Sequence, residues 1–146
     1  MTGASLEVGV TFDDAYPLDV DRLAALLRFA AHEEGRAGEV GVRVCSDATI
    51  ADLHERFMGV SGPTDVLSFP GDGDYLGDIA VSFDTARAQA AEVGHPVGRE
   101  VAYLALHGLL HLCGYDDIAP DDRARMIARQ DVLLERFERD ASGDWS

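Results

Sequence analysis

The 146-residue chain contains no lysine; its 12 basic side chains are all arginine, set against 27 acidic ones. The resulting formal charge of −15 excludes a broad electrostatic grip on a phosphate backbone, which needs clustered cationic side chains. RNA at a local site stays open, because a bound dication and a few arginines invert the potential there; DNA is not an expected partner. Cysteine is scarce as well. Cys45 and Cys113 lie far apart and form no CxxC pair, so two reduced thiols are expected rather than a disulfide framework. No apolar run reaches the ~18 residues that a membrane span requires. Met1–Val10 lacks the basic start and long apolar stretch of a signal peptide. A cytoplasmic location without a membrane partner is therefore the expectation. Nucleotide-binding glycine motifs (GxGxxG, Walker loop) are missing too, as are repeats and low-complexity segments.

What is present is the composition of an ordinary globular protein, 47% apolar and 27% charged. The length fits one domain over 1–146, large enough to hide roughly two-thirds of its unfolded surface. Leu6–Thr11 reads as a strand ended by Asp13, Asp14 and Pro17. Asp19 caps a helix running to Glu34, with Val20, Leu23, Leu27 and Ala31 along one face and Gly35 as its stop. Val40, Val42 and Val44 alternate with Gly41 and Arg43 as a half-buried strand. Ser46 or Asp47 caps a short helix whose stripe is Ile50, Leu53 and Phe57. Asp65–Phe69 and Leu76–Ser82 read as strands around a Gly-Asp turn, and Asp84–Val93 as a helix ended by Gly94. Glu100–Cys113 is a buried central helix, apolar nearly all round. Pro120–Asp140 is a last amphipathic helix, and 141–146 is a frayed tail. The order β-α-β-α-β-β-α-α-α predicts an α+β fold: a small mixed sheet of about four strands packed with about five helices.

The chemistry sits on the central helix. His107 and His111 are four residues apart, so both imidazoles share one face. Gly114 follows, free to turn the chain back, and Asp117 comes three residues later. A helical His pair plus a ligand returned by a glycine turn can assemble three zinc ligands while leaving a fourth position open. The plain alternative is a pair of hydrogen-bonded core histidines, each needing its own polar partner; one shared ion satisfies both. Asp116 is chemically equivalent to Asp117 and competes with it for the third position, the other carboxylate then serving the turn. Where HExxH proteases carry a glutamate base after the first histidine, this chain has Gly108, which disfavours peptide hydrolysis.

Two stretches, Pro63-Thr-Asp-Val-Leu-Ser-Phe-Pro70 with Leu76-Gly-Asp-Ile79, and His107-Gly-Leu-Leu-His-Leu-Cys-Gly-Tyr-Asp116, closely resemble the YbeY family. The likeness spans about Val40 to Phe137. It implies a single-strand-specific, metal-dependent endoribonuclease acting in ribosomal RNA maturation and ribosome quality control. One zinc ion, or another divalent metal, is implied at His107, His111 and Asp117. Implied partners are ribosomal RNA, small-subunit ribosomal proteins and assembly factors. Two positions depart from the family pattern. Asp117 stands where a third His is usual, lowering the site's net charge from +2 to +1 and favouring harder ions. Met58 stands where an Arg usually follows an aromatic residue, here Phe57. Arg56, two residues before Met58, joins Asp65 and Asp78 as a catalytic candidate; the two aspartates belong to the shared motifs and either orient a ligand or water or stabilise turns. The alternative function is a ribosome-assembly or binding factor whose metal is structural. A metal-dependent hydrolase of a small ester or peptide is a third reading.

Overall fold

The computed structural model describes residues 5–141 and 143–145. Its elements are β1 (Leu6–Phe12), α1 (Val20–Glu33), β2 (Gly38–Cys45), α2 (Asp47–Met58), β3 (Val66–Pro70), β4 (Tyr75–Ser82), α3 (Phe83–Val93), α4 (Val97–Leu112) and α5 (Pro120–Asp140). The four strands form one mixed sheet in the order β1-β2-β4-β3. β1, β2 and β4 run parallel, while β3 returns antiparallel to β4. The α+β architecture and the element order match those read from the residues.

Local chemistry accounts for the boundaries. Asp19 accepts the Arg22 amide at the start of α1, and Ser46 accepts the Thr49 amide at the start of α2. Pro120 opens α5, where its missing N–H is no loss. Helix α4 begins three residues earlier than Glu100, on the cap residue Pro96.

Period-two alternation separates the sheet's faces. Val40, Val42, Val44, Ile79 and Val81 belong to the main core with α1, α4 and α5. Gly41, Arg43, Phe69, Asp78 and Ala80 line the other side, where, among the described residues, Ile50 and Leu53 of α2 provide the apolar cover. Leu106, Leu109 and Leu110 of α4 are fully buried, as expected for a helix wrapped by a sheet and three helices.

Three details differ from the sequence reading. Val20 is exposed, and the buried face of α1 is instead Leu23, Ala24, Leu26, Leu27, Ala30 and Ala31. Phe57 is 61% exposed, so the α2 stripe shortens to Ile50 and Leu53. The predicted fraying of 141–146 does not hold for Trp145, which is buried against Phe137 and under the Arg22 guanidinium.

Candidate metal centre

Helix α4 crosses the sheet at β3 and β4 with Gly108 facing the strands. A Cβ there would come within 2.7 Å of Ile79 Cγ2 and 3.0 Å of Ser68 Oγ, so only glycine permits this approach. Ser68 donates to the Gly108 carbonyl at 3.1 Å, pinning the turn that carries His107. A protease-type glutamate has no space at this position. The Ser68 bond to the helix backbone is a strand-to-helix tie.

The helix ends in a Schellman turn. Tyr115 N–H bonds the Leu110 carbonyl and Gly114 N–H the His111 carbonyl, each at 3.0 Å. Gly114 supplies the positive φ of 106° that this turn demands. The reversed chain brings the Tyr115 carbonyl to 3.1 Å from His111 Nδ1. Asp116 points outward and accepts the Ile118 amide at 2.9 Å, stabilising the loop. Asp117 points inward. Its Oδ2 lies 3.2 Å from His111 Nε2 and 3.4 Å from His107 Nε2.

These three residues each offer one ligand atom, and all three atoms lie within 4.8 Å of one another. The donor set suits a cation. His107 Nδ1 lies 2.9 Å from Gln130 Oε1, and His111 Nδ1 faces a carbonyl; both partners only accept, so both Nδ1 atoms carry the proton. In the neutral imidazoles each Nε2 then turns a lone pair toward a carboxylate, an arrangement that a shared positive charge resolves. Tetrahedral zinc with bonds of about 2.0–2.1 Å sets neighbouring ligand atoms about 3.3 Å apart, which the two Asp117–imidazole separations bracket. Partial burial pushes the Asp117 carboxyl up, but His111 and His107 outweigh it when their Nε2 atoms are also protonated, and hold it below the usual carboxylate range. It is therefore ionised and ready to bind at neutral pH. The side chains of His107, His111 and Asp117 are 17%, 29% and 35% exposed, so the group opens to solvent rather than sitting sealed in the core.

The other predicted residues lie elsewhere. Asp65 bonds Gln89 of α3 at 3.3 Å. Asp78 faces the α2 side of the sheet, where Tyr75 donates to it; that hydrogen bond, with burial, pushes the Tyr75 phenol up to about 12. Arg56 pairs with Asp52 one turn back on the exposed surface of α2 at 3.2 Å. Met58 closes the same helix, half-exposed. A cleft of about 660 Å³ on this side is bounded by Gly41, Arg43, Leu53, Phe57, Phe69 and Asp78, with the sheet between it and α4. Tyr115 packs against the core, and burial together with a hydrogen bond to Glu34 raises its pKa. Neither cysteine joins the ligand group; Cys45 is buried, Cys113 partly so, and both thiols are free. Gln130 went unnoticed in the sequence. The signal was there, a single amide in an otherwise apolar row with Met126, Leu133, Leu134 and Phe137.

Fold and site together define a small α+β protein with a candidate metal centre of two imidazoles and one carboxylate, mounted on a helix and its glycine turn. A sequence profile described as Endoribonuclease YbeY matches residues 17–138, and the chain belongs to that family. Endoribonuclease YbeY of Chloroflexus aurantiacus is 42% identical over 142 residues, covering 88% of this chain and 90% of the relative. Endoribonuclease YbeY of Mycolicibacterium smegmatis is 36% identical over 151 residues, covering 92% and 85%. The solution structure of TM1509 from Thermotoga maritima superposes with a TM-score of 0.66 at 25% identity, covering 91% of this chain and 90% of that one.

Proposed function

We propose that this chain is a metal-dependent endoribonuclease that cuts single-stranded RNA in ribosomal RNA maturation and ribosome quality control. The observation that carries the reading is the convergence of His107 Nε2, His111 Nε2 and Asp117 Oδ2, in a family whose members bear the endoribonuclease name. These residues would hold one zinc ion, or another divalent metal. Such an ion, when bound, supplies Lewis acidity that activates water and takes up charge on a phosphoryl oxygen. The chain's own part is positional. Gln130 and the Tyr115 carbonyl aim the imidazoles, and the partly exposed ligand group is reached from solvent. Asp117 contributes a charge that a third imidazole would not, which tempers the acidity of the site.

With a net charge of −15, RNA is held by local contacts rather than by a basic surface. Ribosomal RNA, small-subunit ribosomal proteins and assembly factors are the partners this reading requires, and the cytoplasm is its compartment. The test is elemental analysis of the purified chain followed by incubation with single-stranded and duplex RNA. Metal-dependent cuts in single strands, lost in His107→Ala and His111→Ala, support the proposal. A metal-loaded chain that leaves single-stranded RNA intact contradicts it.

A second reading, an assembly factor with a structural metal, draws on Met58 and on Arg56 being engaged with Asp52. Under it, chelation unfolds the protein, and the loaded chain binds its partner without cutting.

A further inference from the structure

The two candidate histidines are aimed by different means. His111 Nδ1 bonds a main-chain carbonyl fixed by the helix-ending turn. His107 Nδ1 bonds a side chain, Gln130, supplied by α5 twenty-three residues away. Gln130 is 1% exposed, and a primary amide among apolar neighbours is costly unless both its ends are paired.

Both ends are paired, and the pairing has one sense. Gln130 Nε2 donates to the Tyr103 carbonyl at 2.9 Å. A carbonyl cannot donate, so the amide oxygen must face His107. That oxygen in turn only accepts, so His107 must carry its proton on Nδ1. Tyr103 also donates its hydroxyl to Asp131 at 2.7 Å. One residue of α4 thus ties two successive residues of α5, which holds Gln130 in register with His107.

We infer that Gln130 is a positioning residue of the metal centre: it sets the tautomer and ring orientation of His107, so that Nε2 is presented to the cation. This rests on the metal reading proposed above. Gln130 acts only through His107 and touches neither ion nor RNA.

The test compares the unaltered chain with Gln130→Leu, which keeps volume but offers no acceptor, and Gln130→Glu, which keeps the acceptor and loses the donor. Imidazole nitrogen NMR on the metal-free proteins should show His107 protonated at Nδ1 in the unaltered chain and in Gln130→Glu, and a tautomer mixture in Gln130→Leu. Zinc affinity, measured by chelator competition, should fall about 10–100-fold in Gln130→Leu and recover in Gln130→Glu. A Gln130→Leu protein with unchanged tautomer and unchanged zinc affinity overturns the inference. If that variant fails to fold, an Nε2-protonated His107 in the unaltered chain overturns it equally. Absence of zinc binding by the unaltered chain would instead sink the metal reading, while the tautomer still judges the role of Gln130.

Discussion

Asp117 Oδ2 stands 3.2 Å from His111 Nε2, while its neighbour Asp116 turns away to hold the Ile118 amide. Two adjacent carboxylates thus have different duties, and substitution separates them. Asp117→Ala should lose bound metal, because it removes one of three ligand atoms. Asp116→Ala should keep its metal and lose about 0.5–1.5 kcal/mol of stability, the typical net value of one hydrogen bond. Metal content by elemental analysis and unfolding in urea measure the two effects. Equal metal loss in both variants would break the assignment.

Gly108 carries a second prediction. Its missing side chain lets α4 approach Ile79 and Ser68. Ile79 is 1% exposed and stiff at its branched Cβ, so it cannot swing aside. Gly108→Ala gains helix propensity of about 1 kcal/mol, yet overpacking of about 1–3 kcal/mol should outweigh it and leave a net loss of up to about 2 kcal/mol. The displaced helix turn also shifts His107, so metal affinity should fall with stability. Urea denaturation and chelator competition would read both, and a stabilised variant would contradict the packing argument.

Much of this was legible in the residues, for physical reasons. Proline, glycine and capping side chains mark element ends, because each imposes a local backbone constraint that neighbours do not override. The His107–His111 spacing was readable because helical geometry alone puts them on one face. The third ligand was readable only as a pair of options: Asp116 and Asp117 differ in direction, and direction depends on the Schellman turn. Val20 and Phe57 fit the period of a buried stripe, but whether a face is covered depends on which elements reach it. The sheet alternation that sends Asp78 away from α4 follows from its register with β2, which the chain order did not disclose. Trp145 was hidden because its partners, Arg22 and Phe137, are themselves far apart in sequence.

A third prediction concerns the adjoining starts of α2 and α3. Asp47 accepts hydrogen bonds from Ser82 and from Thr85 Oγ1, the latter at 2.7 Å. In return Asp84 accepts the Asp47 amide at 2.9 Å. Each helix start thus borrows a carboxylate from the other, where the helix dipole favours it. Ser82 is fully buried, so Asp47→Ala strands a buried hydroxyl and should cost about 1–3 kcal/mol. Asp84→Ala leaves an amide that is only part-buried, and should cost less. Chemical denaturation of both variants tests the order, and the reverse order would refute it.

The last prediction concerns acid. Glu138 receives two hydrogen bonds from Arg99, at 2.7 and 3.0 Å, and one from Trp145 Nε1 at 2.8 Å. Partial burial pushes its carboxyl up, but these donors prevail and hold it below the usual glutamate range. A carboxyl whose folded pKa is depressed stabilises the fold fully above its unfolded pKa, about 4.3, and loses that contribution as pH falls through the folded value. Glu138→Gln should therefore lower the thermal midpoint at neutral pH. The gap from the unaltered chain should narrow below about pH 4, as the unaltered carboxyl also becomes neutral. Trp145 is the only tryptophan in the chain, so its fluorescence reports this contact directly: emission should shift red in the same acid window, before global unfolding seen by circular dichroism. A gap that stays constant or widens between about pH 6 and pH 3 would show that the Arg99 and Trp145 contacts do not draw their strength from the charge on Glu138.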